Sequence, residues 1–206
     1  MAFQTIWYFT DIPSDIVDSI EKDLSTNYEQ NMEQSRLVGN GIDLGKRNSQ
    51  NTWVPAHHWI SGFCWHYVNK ANQENFLYDV SNIDCNSLQF TKYDEGQHYG
   101  WHNDAGIMAL SKPSFDGKNN SLIATDFLNQ KAELIRKLSF VLQLSDPEDY
   151  DGGNLQLLNE EGKSYFAPRK KGTMIVFDSR TQHRVLKVKR GVRKSLVGWV
   201  VGPRWK

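Results

Sequence analysis

His102 and Asp104 close the run Tyr93-Asp94-Glu95-Gly96-Gln97-His98-Tyr99-Gly100-Trp101-His102-Asn103-Asp104. On an extended chain, side chains two apart share a face, so one imidazole nitrogen and one carboxylate oxygen can reach the same point. A His-x-Asp pair is common by chance and needs a third donor to mean anything. His183 is the candidate, just after the apolar run Thr173–Phe177 and the turn Asp178-Ser179-Arg180-Thr181. Two His and one carboxylate on one face of a metal leave positions open for oxygen and a co-substrate, the arrangement of non-haem Fe(II) oxygenases. The other reading makes these three residues polar barrel positions satisfied by hydrogen bonds. Arg193 bears on the choice. It lies ten residues after His183, across the turn Lys189-Arg190-Gly191, and is expected on a strand beside that of His183. A buried guanidinium is the natural bidentate partner of a carboxylate. By strand parity Ser195, Val197 and Trp199 share its face. Arg193 and Ser195 would grip one end of a dicarboxylate, Trp199 would close the pocket, and the other end of a 2-oxo acid would chelate iron.

These side chains need a β framework. Leu88–Tyr93, Lys137–Leu144, Leu155–Leu158, Thr173–Phe177, Arg184–Val188 and Ser195–Val201 read as short strands, bounded by turn residues such as Asp151-Gly152-Gly153-Asn154 and Glu161-Gly162-Lys163. Strands at this spacing suggest an antiparallel barrel or double-sheet jelly roll. Upstream, Asp11-Ile12-Pro13-Ser14 opens a helical pattern with Ile16, Val17, Ile20 and Leu24 on one face. Trp59, Ile60, Phe63, Cys64, Tyr67 and Val68 recur at helical spacing between Ala56 and Lys70, a stripe that reads as core. Residues 31–52 read as loop or irregular edge strand, and 105–133 as a long loop of the kind that often carries function. The expectation is one domain, 1–206, with residues 1–86 as helical buttress and edge elements and 87–203 as the catalytic core.

The composition sets outer bounds. A chain of 206 residues with 39% apolar and 23% charged residues supports a buried core and argues against disorder. No apolar run approaches the roughly 20 residues of a membrane span, and Met1 to Thr10 lacks a signal-sequence pattern, so a soluble cytoplasmic protein is expected. Cys64 and Cys85 match neither a disulfide scaffold nor a zinc motif. The zero formal charge conceals a split: residues 163–206 hold 13 Lys and Arg against the single Asp178, whereas 1–162 hold 11 against 23 acidic residues. A basic quarter of this kind suits nucleic acid, an anion-receiving wall or a solvated surface, and composition does not choose.

A larger pattern does. The sequence resembles the Fe(II)/2-oxoglutarate-dependent oxygenases of the prolyl 4-hydroxylase-like branch, and especially the PKHD-type hydroxylases of bacteria and phages. The likeness rests on Tyr93…Gly96…Tyr99…His102-x-Asp104, Lys137-Leu138-Ser139, Asp149-Tyr150-Asp151-Gly152-Gly153-Asn154-Leu155, Gly172-Thr173-Met174-Ile175-Val176-Phe177 and His183-Arg184-Val185…Val188…Gly191-Val192-Arg193…Trp199. It spans about residues 88–201. The resemblance implies an α+β, mainly β fold: a double-stranded β-helix (jelly roll, cupin-like) with N-terminal helices packed on one sheet. It implies His102, Asp104 and His183 as catalytic Fe(II) ligands. It also implies Arg193 on the distal carboxylate of 2-oxoglutarate, Tyr93 against the co-substrate, and Ser139 and Gln143 lining the pocket with Trp199. Gln143 stands where several relatives carry an aromatic. Iron, 2-oxoglutarate and O2 would be the cofactors, with ascorbate as reductant. Prolyl specificity toward a protein or peptide partner is implied by likeness alone.

Other residues have plainer readings. His57-His58 are adjacent and cannot share a helix face; His98 reads as an exposed strand histidine. Asp151-Gly152-Gly153-Asn154 reads as a hairpin connection demanding positive φ, not a phosphate loop, since no helix follows. Lys46-Arg47-Asn48-Ser49 reads either as a polar loop or as the Arg-x-Ser stretch that relatives place near the substrate mouth. Segments 31–52 and 105–133 would fold over an extended peptide. The rival class is a non-enzymatic jelly roll holding a polyanion on its basic quarter. It lacks an interleaved aromatic platform and leaves His102, Asp104, His183 and Arg193 unexplained, so neither a nucleic-acid nor a membrane partner is expected.

Overall fold

Val17, Ile20 and Leu24 are spaced three and four apart, and their burial on one side turns Ser14–Asn27 into helix α1. The same logic buries Ile60, Cys64 and Val68 of α2 (Trp59–Ala71), which the ring of His58 caps by accepting the Ile60 N–H at 3.4 Å. Trp59 departs from the expected apolar stripe: it points outward, 49% exposed, and donates to Asp23 at 2.7 Å. The computed structural model describes residues 4–37, 41–84, 88–105, 134–159 and 161–205. None of the helices among them is long and apolar enough to cross a membrane. The loop expected at 105–133 lies outside the described residues except for Ala105.

The strands, in chain order, are β1 (Ile6–Phe9), β2 (Glu33–Gln34), β3 (Arg47–Asn48), β4 (Gln50–Val54), β5 (Asn82–Ile83), β6 (Leu88–Tyr93), β7 (His98–His102) and β8 (Leu134–Gln143). They continue as β9 (Tyr150–Gly152), β10 (Leu155–Leu158), β11 (Ser164–Phe166), β12 (Met174–Asp178), β13 (His183–Val185), β14 (Val188–Gly191) and β15 (Arg193–Pro203). A major sheet runs β1-β12-β8-β15-β6-β4-β2, with β5 also on β15; a minor sheet runs β11-β10-β13-β7-β3; β14 and β9 form a separate pair. All pairings are antiparallel and the fold is a jelly roll, with both helices on one face of the major sheet.

Alternation along the central strands separates two cores. Leu138, Phe140 and Leu142 of β8, Met174 and Val176 of β12, and Leu196 and Val200 of β15 face α1 and α2. The intervening Val141, Ile175, Phe177 and Val197 face the minor sheet, where Leu155, Leu157 and Val185 meet them. The polar inner residues of the same strands line up by register: Asn51, Thr91, Ser195 and Gln143 form one row across β4, β6, β15 and β8, and Trp199 pairs with Ser139 in another.

Three expectations change. Arg193 does not lie beside the His183 strand; β13 belongs to the minor sheet and β15 to the major one, so the two residues face each other across the sandwich. The expected strand Arg184–Val188 is two pieces, because the chain leaves β13 after Val185 and pairs with β9 from Val188. Asp151-Gly152-Gly153-Asn154 has positive φ at Gly152 (72°) and Gly153 (60°), but it is not a hairpin: β9 and β10 pair with different strands.

Candidate metal and co-substrate site

The minor sheet builds the metal-ligating face. His102 and His183 are direct cross-strand partners on β7 and β13, and their rings lie 4.1 Å apart. Asp104 follows β7 by two residues and is held in line by its N–H donating to the Ser179 carbonyl at 2.9 Å. The three donor atoms lie within 4.8 Å of one another. His102 Nε2 is 3.8 Å from Asp104 Oδ1, and His183 Nε2 is 3.5 Å from Asp104 Oδ2. Metal–ligand bonds of about 2.1 Å at right angles put donors about 3 Å apart, so a small inward movement completes the coordination.

Protonation suits this role. His102 Nδ1 is 2.8 Å from the Gly100 carbonyl and His183 Nδ1 is 3.0 Å from the Thr181 carbonyl. A carbonyl accepts only from a protonated nitrogen, so the neutral tautomer that fits each ring carries its lone pair on Nε2, facing Asp104. Burial, with His183 alongside, pushes the His102 pKa down to about 4, which keeps that ring neutral at neutral pH. Burial alone would raise the pKa of Asp104, but the two neighbouring imidazoles and the Ser139 hydroxyl outweigh it and hold the carboxyl below the usual range. Ser139 Oγ donates to Asp104 Oδ2 at 2.7 Å; the Trp199 indole N–H faces the same carboxylate without closing a hydrogen bond of ordinary geometry. His102 is further clamped by Tyr99, stacked on it at 3.6 Å, and Phe177 meets His183 edge-on at 4.8 Å.

The opposing sheet supplies the anion-binding end. A cavity of about 720 Å³ is lined by His102, Asp104 and His183 on one side and Tyr93, Arg193, Ser195 and Trp199 on the other. Arg193 is 1% exposed. Among the described residues it donates only to neutral groups, Ser195 Oγ at 3.2 Å and Gln143 Oε1 at 2.9 Å, and its buried Nε finds no partner there. Tyr93 lies beneath it, ring centre 5.5 Å from the guanidinium. A buried cation with no acidic partner among the described residues, opposite a two-His-one-carboxylate cluster, fits a co-substrate that is anionic at one end and chelating at the other.

The structure thus brings His102, Asp104, His183, Tyr93, Arg193 and Trp199 to one cavity. Ser139 is close by, but its hydroxyl is engaged with Asp104 and does not line the cavity; Gln143 orients Arg193. His98 is remote in role, its Nε2 against the Gly45 carbonyl at 3.0 Å, and His58 sits 3.6 Å from Asp23 at a helix start. Arg47 of the Arg-x-Ser stretch is buried and lines the cavity. Gln89, which binds Arg47, and Arg136, 4.0 Å over the Trp199 ring and ion-paired to Asp84 at 2.9 Å, carried no signal in the sequence beyond strand alternation.

A jelly roll whose two sheets enclose this triad and this arginine defines a non-haem iron oxygenase-type scaffold. Residues 88–201 match the model of the 2OG-Fe(II) oxygenase superfamily, and the chain belongs to that family. A PKHD-type hydroxylase of Synechococcus sp. (strain JA-2-3B'a(2-13)) is 35% identical over 169 residues, 81% of this chain and 62% of the relative; the chain therefore spans less than two thirds of that protein. A Pseudomonas putida prolyl-4-hydroxylase structure superposes with a TM-score of 0.69 at 19% identity, covering 97% of this chain and 93% of that one. A Trichoplax adhaerens prolyl hydroxylase, solved with a hypoxia inducible factor peptide fragment, gives 0.70 at 15% identity, covering 96% and 84%. At these identities the two structures establish the fold.

Proposed function

We propose that the protein is an Fe(II)- and 2-oxoglutarate-dependent dioxygenase that hydroxylates a C–H bond of a residue, prolyl in the first instance, in a protein or peptide. The balanced reaction converts substrate C–H, 2-oxoglutarate and O2 to C–OH, succinate and CO2. The observation that carries the reading is the pairing of a preorganised His102–Asp104–His183 cluster with the buried Arg193, which has no acidic partner among the described residues, across one cavity. His102, Asp104 and His183 would hold iron, presenting two imidazole nitrogens and one carboxylate to it. Iron with 2-oxoglutarate and O2 supplies the oxidative decarboxylation and the power to oxidise an unactivated C–H bond. Arg193, with Ser195, binds and orients the far carboxylate of the co-substrate, while Tyr93 and Trp199 flank it. Val141, Leu155, Phe177, Val185 and Val197 keep the interior dry. Ascorbate would serve as reductant, and the cytoplasm, which supplies Fe(II) and 2-oxoglutarate, is the proposed setting.

The peptide preference draws on the prolyl hydroxylase relatives and on a cavity larger than 2-oxoglutarate alone requires. Anaerobic titration with Fe(II) and 2-oxoglutarate tests the core of the proposal: a weak visible charge-transfer band is expected, and its absence at saturating co-substrate would sink the assignment. Mass spectrometry of peptide libraries for the gain of one oxygen then tests the substrate; turnover of a free metabolite with no peptide product would overturn the peptide preference.

A further inference from the structure

The cavity holds a second buried guanidinium with no acidic partner among the described residues. Arg47, on the edge strand β3, is 8% exposed and lines the cavity. Nε donates to Ser49 Oγ at 3.1 Å, Nη1 to the Arg36 carbonyl at 3.3 Å and Nη2 to Gln89 Oε1 at 2.8 Å, all neutral acceptors. One N–H remains on each terminal nitrogen. Among the described residues no carboxylate forms an ion pair with it, whereas Arg136 in the same cavity is matched by Asp84. The guanidinium lies 4.7 Å over the Tyr99 ring, and Tyr99 is stacked on His102, so this charge is fixed relative to a metal-ligating side chain.

Charge accounting makes the residue informative. In the oxygenase reading, on which this inference rests, a divalent iron, a dianionic co-substrate, Asp104 and Arg193 sum to zero. Arg47 is then left over, buried, and no part of that chemistry neutralises it. A buried cation with only neutral partners is costly unless a ligand completes it, and a fork of free guanidinium donors matches a carboxylate. We infer that Arg47 is a specificity-determining residue that anchors a carboxylate of the substrate, so that the substrate is acidic next to its hydroxylated carbon. The stack Arg47–Tyr99–His102 holds that carboxylate at a fixed offset from the metal, which positions the C–H bond as well as selecting the molecule. The carboxylate belongs either to an Asp or Glu side chain of a peptide or to a small free acid.

Matched probes decide both points. Tryptophan fluorescence, reporting from Trp53 and Trp199 in the cavity wall, is titrated with acetyl-Asp-Pro-amide and acetyl-Pro-Glu-amide against their Asn and Gln counterparts, and with acetylproline against acetylprolinamide. Each titration is made with and without Zn(II) and 2-oxoglutarate. At least one acidic probe should bind about tenfold or more tighter than its neutral partner, as expected for one charge-assisted bidentate contact. The preference should collapse in Arg47→Gln and return in part in Arg47→Lys, with circular dichroism unchanged in at least one of the two. The pair that shows it identifies the source, peptide or free acid. Equal affinities, a preference that survives Arg47→Gln, or no acidic probe bound by a protein that binds 2-oxoglutarate would overturn the inference. Loss of the Fe(II)–2-oxoglutarate band in the wild type would instead fail the oxygenase reading, and the acid preference is scored separately on the unloaded protein.

Discussion

Replacing Arg193 by Met should move co-substrate affinity and fold stability by very different amounts. Arg193 is 1% exposed, so its contact with the far carboxylate of 2-oxoglutarate would be made almost entirely out of water. Removing one partner of a buried, hydrogen-bonded charge pair costs about 2–5 kcal/mol, or about 30- to 4,000-fold in Kd at 1.4 kcal/mol per decade. Stability responds otherwise. The substitution removes a buried cation that has no counter-ion among the described residues, which is a gain, and frees Ser195 Oγ and Gln143 Oε1, each at about 1–3 kcal/mol if left unsatisfied. Gln143 keeps its other bond, from Nε2 to the Pro168 carbonyl at 3.2 Å. These opposing effects should leave the unliganded protein within about 2 kcal/mol of wild type. Metal binding should persist, because Arg193 makes no hydrogen bond to His102, Asp104 or His183. The assay is paired: the charge-transfer band titrated with 2-oxoglutarate at saturating Fe(II), and urea unfolding of the metal-free protein. Unchanged 2-oxoglutarate affinity, or an equal loss in metal affinity, would refute the reasoning.

Asp104→Ala should abolish metal retention and succinate formation together; succinate at the wild-type rate would contradict the ligand set. Ser139→Ala removes the 2.7 Å bond that orients the Asp104 carboxylate and should weaken metal binding about 10- to 100-fold with little loss of stability, measured by competition with a chelating dye. Gly153→Ala should strain the backbone at φ 60° and place a methyl 3.0 Å from Val188 and 3.2 Å from the Arg193 Cδ, lowering Tm and raising the KM for 2-oxoglutarate in the same variant. Burial would raise the Asp178 pKa, but its bonds from Arg180 and Tyr78 prevail and lower it. Its contribution is therefore complete above the unfolded carboxylate value near 3.9 and lost as pH falls through the lower folded value, so Tm measured from pH 7 to pH 3 should fall less steeply in Asp178→Asn.

Much of the scaffold could be read along the chain because strand alternation and helical spacing are local properties. Ser195, Val197 and Trp199 do share the Arg193 face, as parity requires, and Val17, Ile20 and Leu24 do form a buried stripe. The errors arose where a partner strand mattered. Nothing local says that β15 pairs with β6 and β8 in place of β13, or that Gly152-Gly153 carries the chain from one pair of strands to another sheet. Trp59 fits the helical stripe by spacing, yet Asp23, 36 residues away, draws it outward.

By itself, then, the sequence determined the kinds of donor available, their two-residue spacing at His102 and Asp104, and which side chains each strand turns to a common face. Tertiary structure alone decided that His183 is the cross-strand partner of His102, that Arg193 approaches from the opposite sheet, and which arginines find an acidic partner among the described residues. Arg136 is neutralised by Asp84, 52 residues away, whereas the partners of Arg47 among the described residues, Ser49, the Arg36 carbonyl and Gln89, 42 residues away, are all neutral. Charge compensation depends on distance through space, and strand pairing across the two sheets sets that distance.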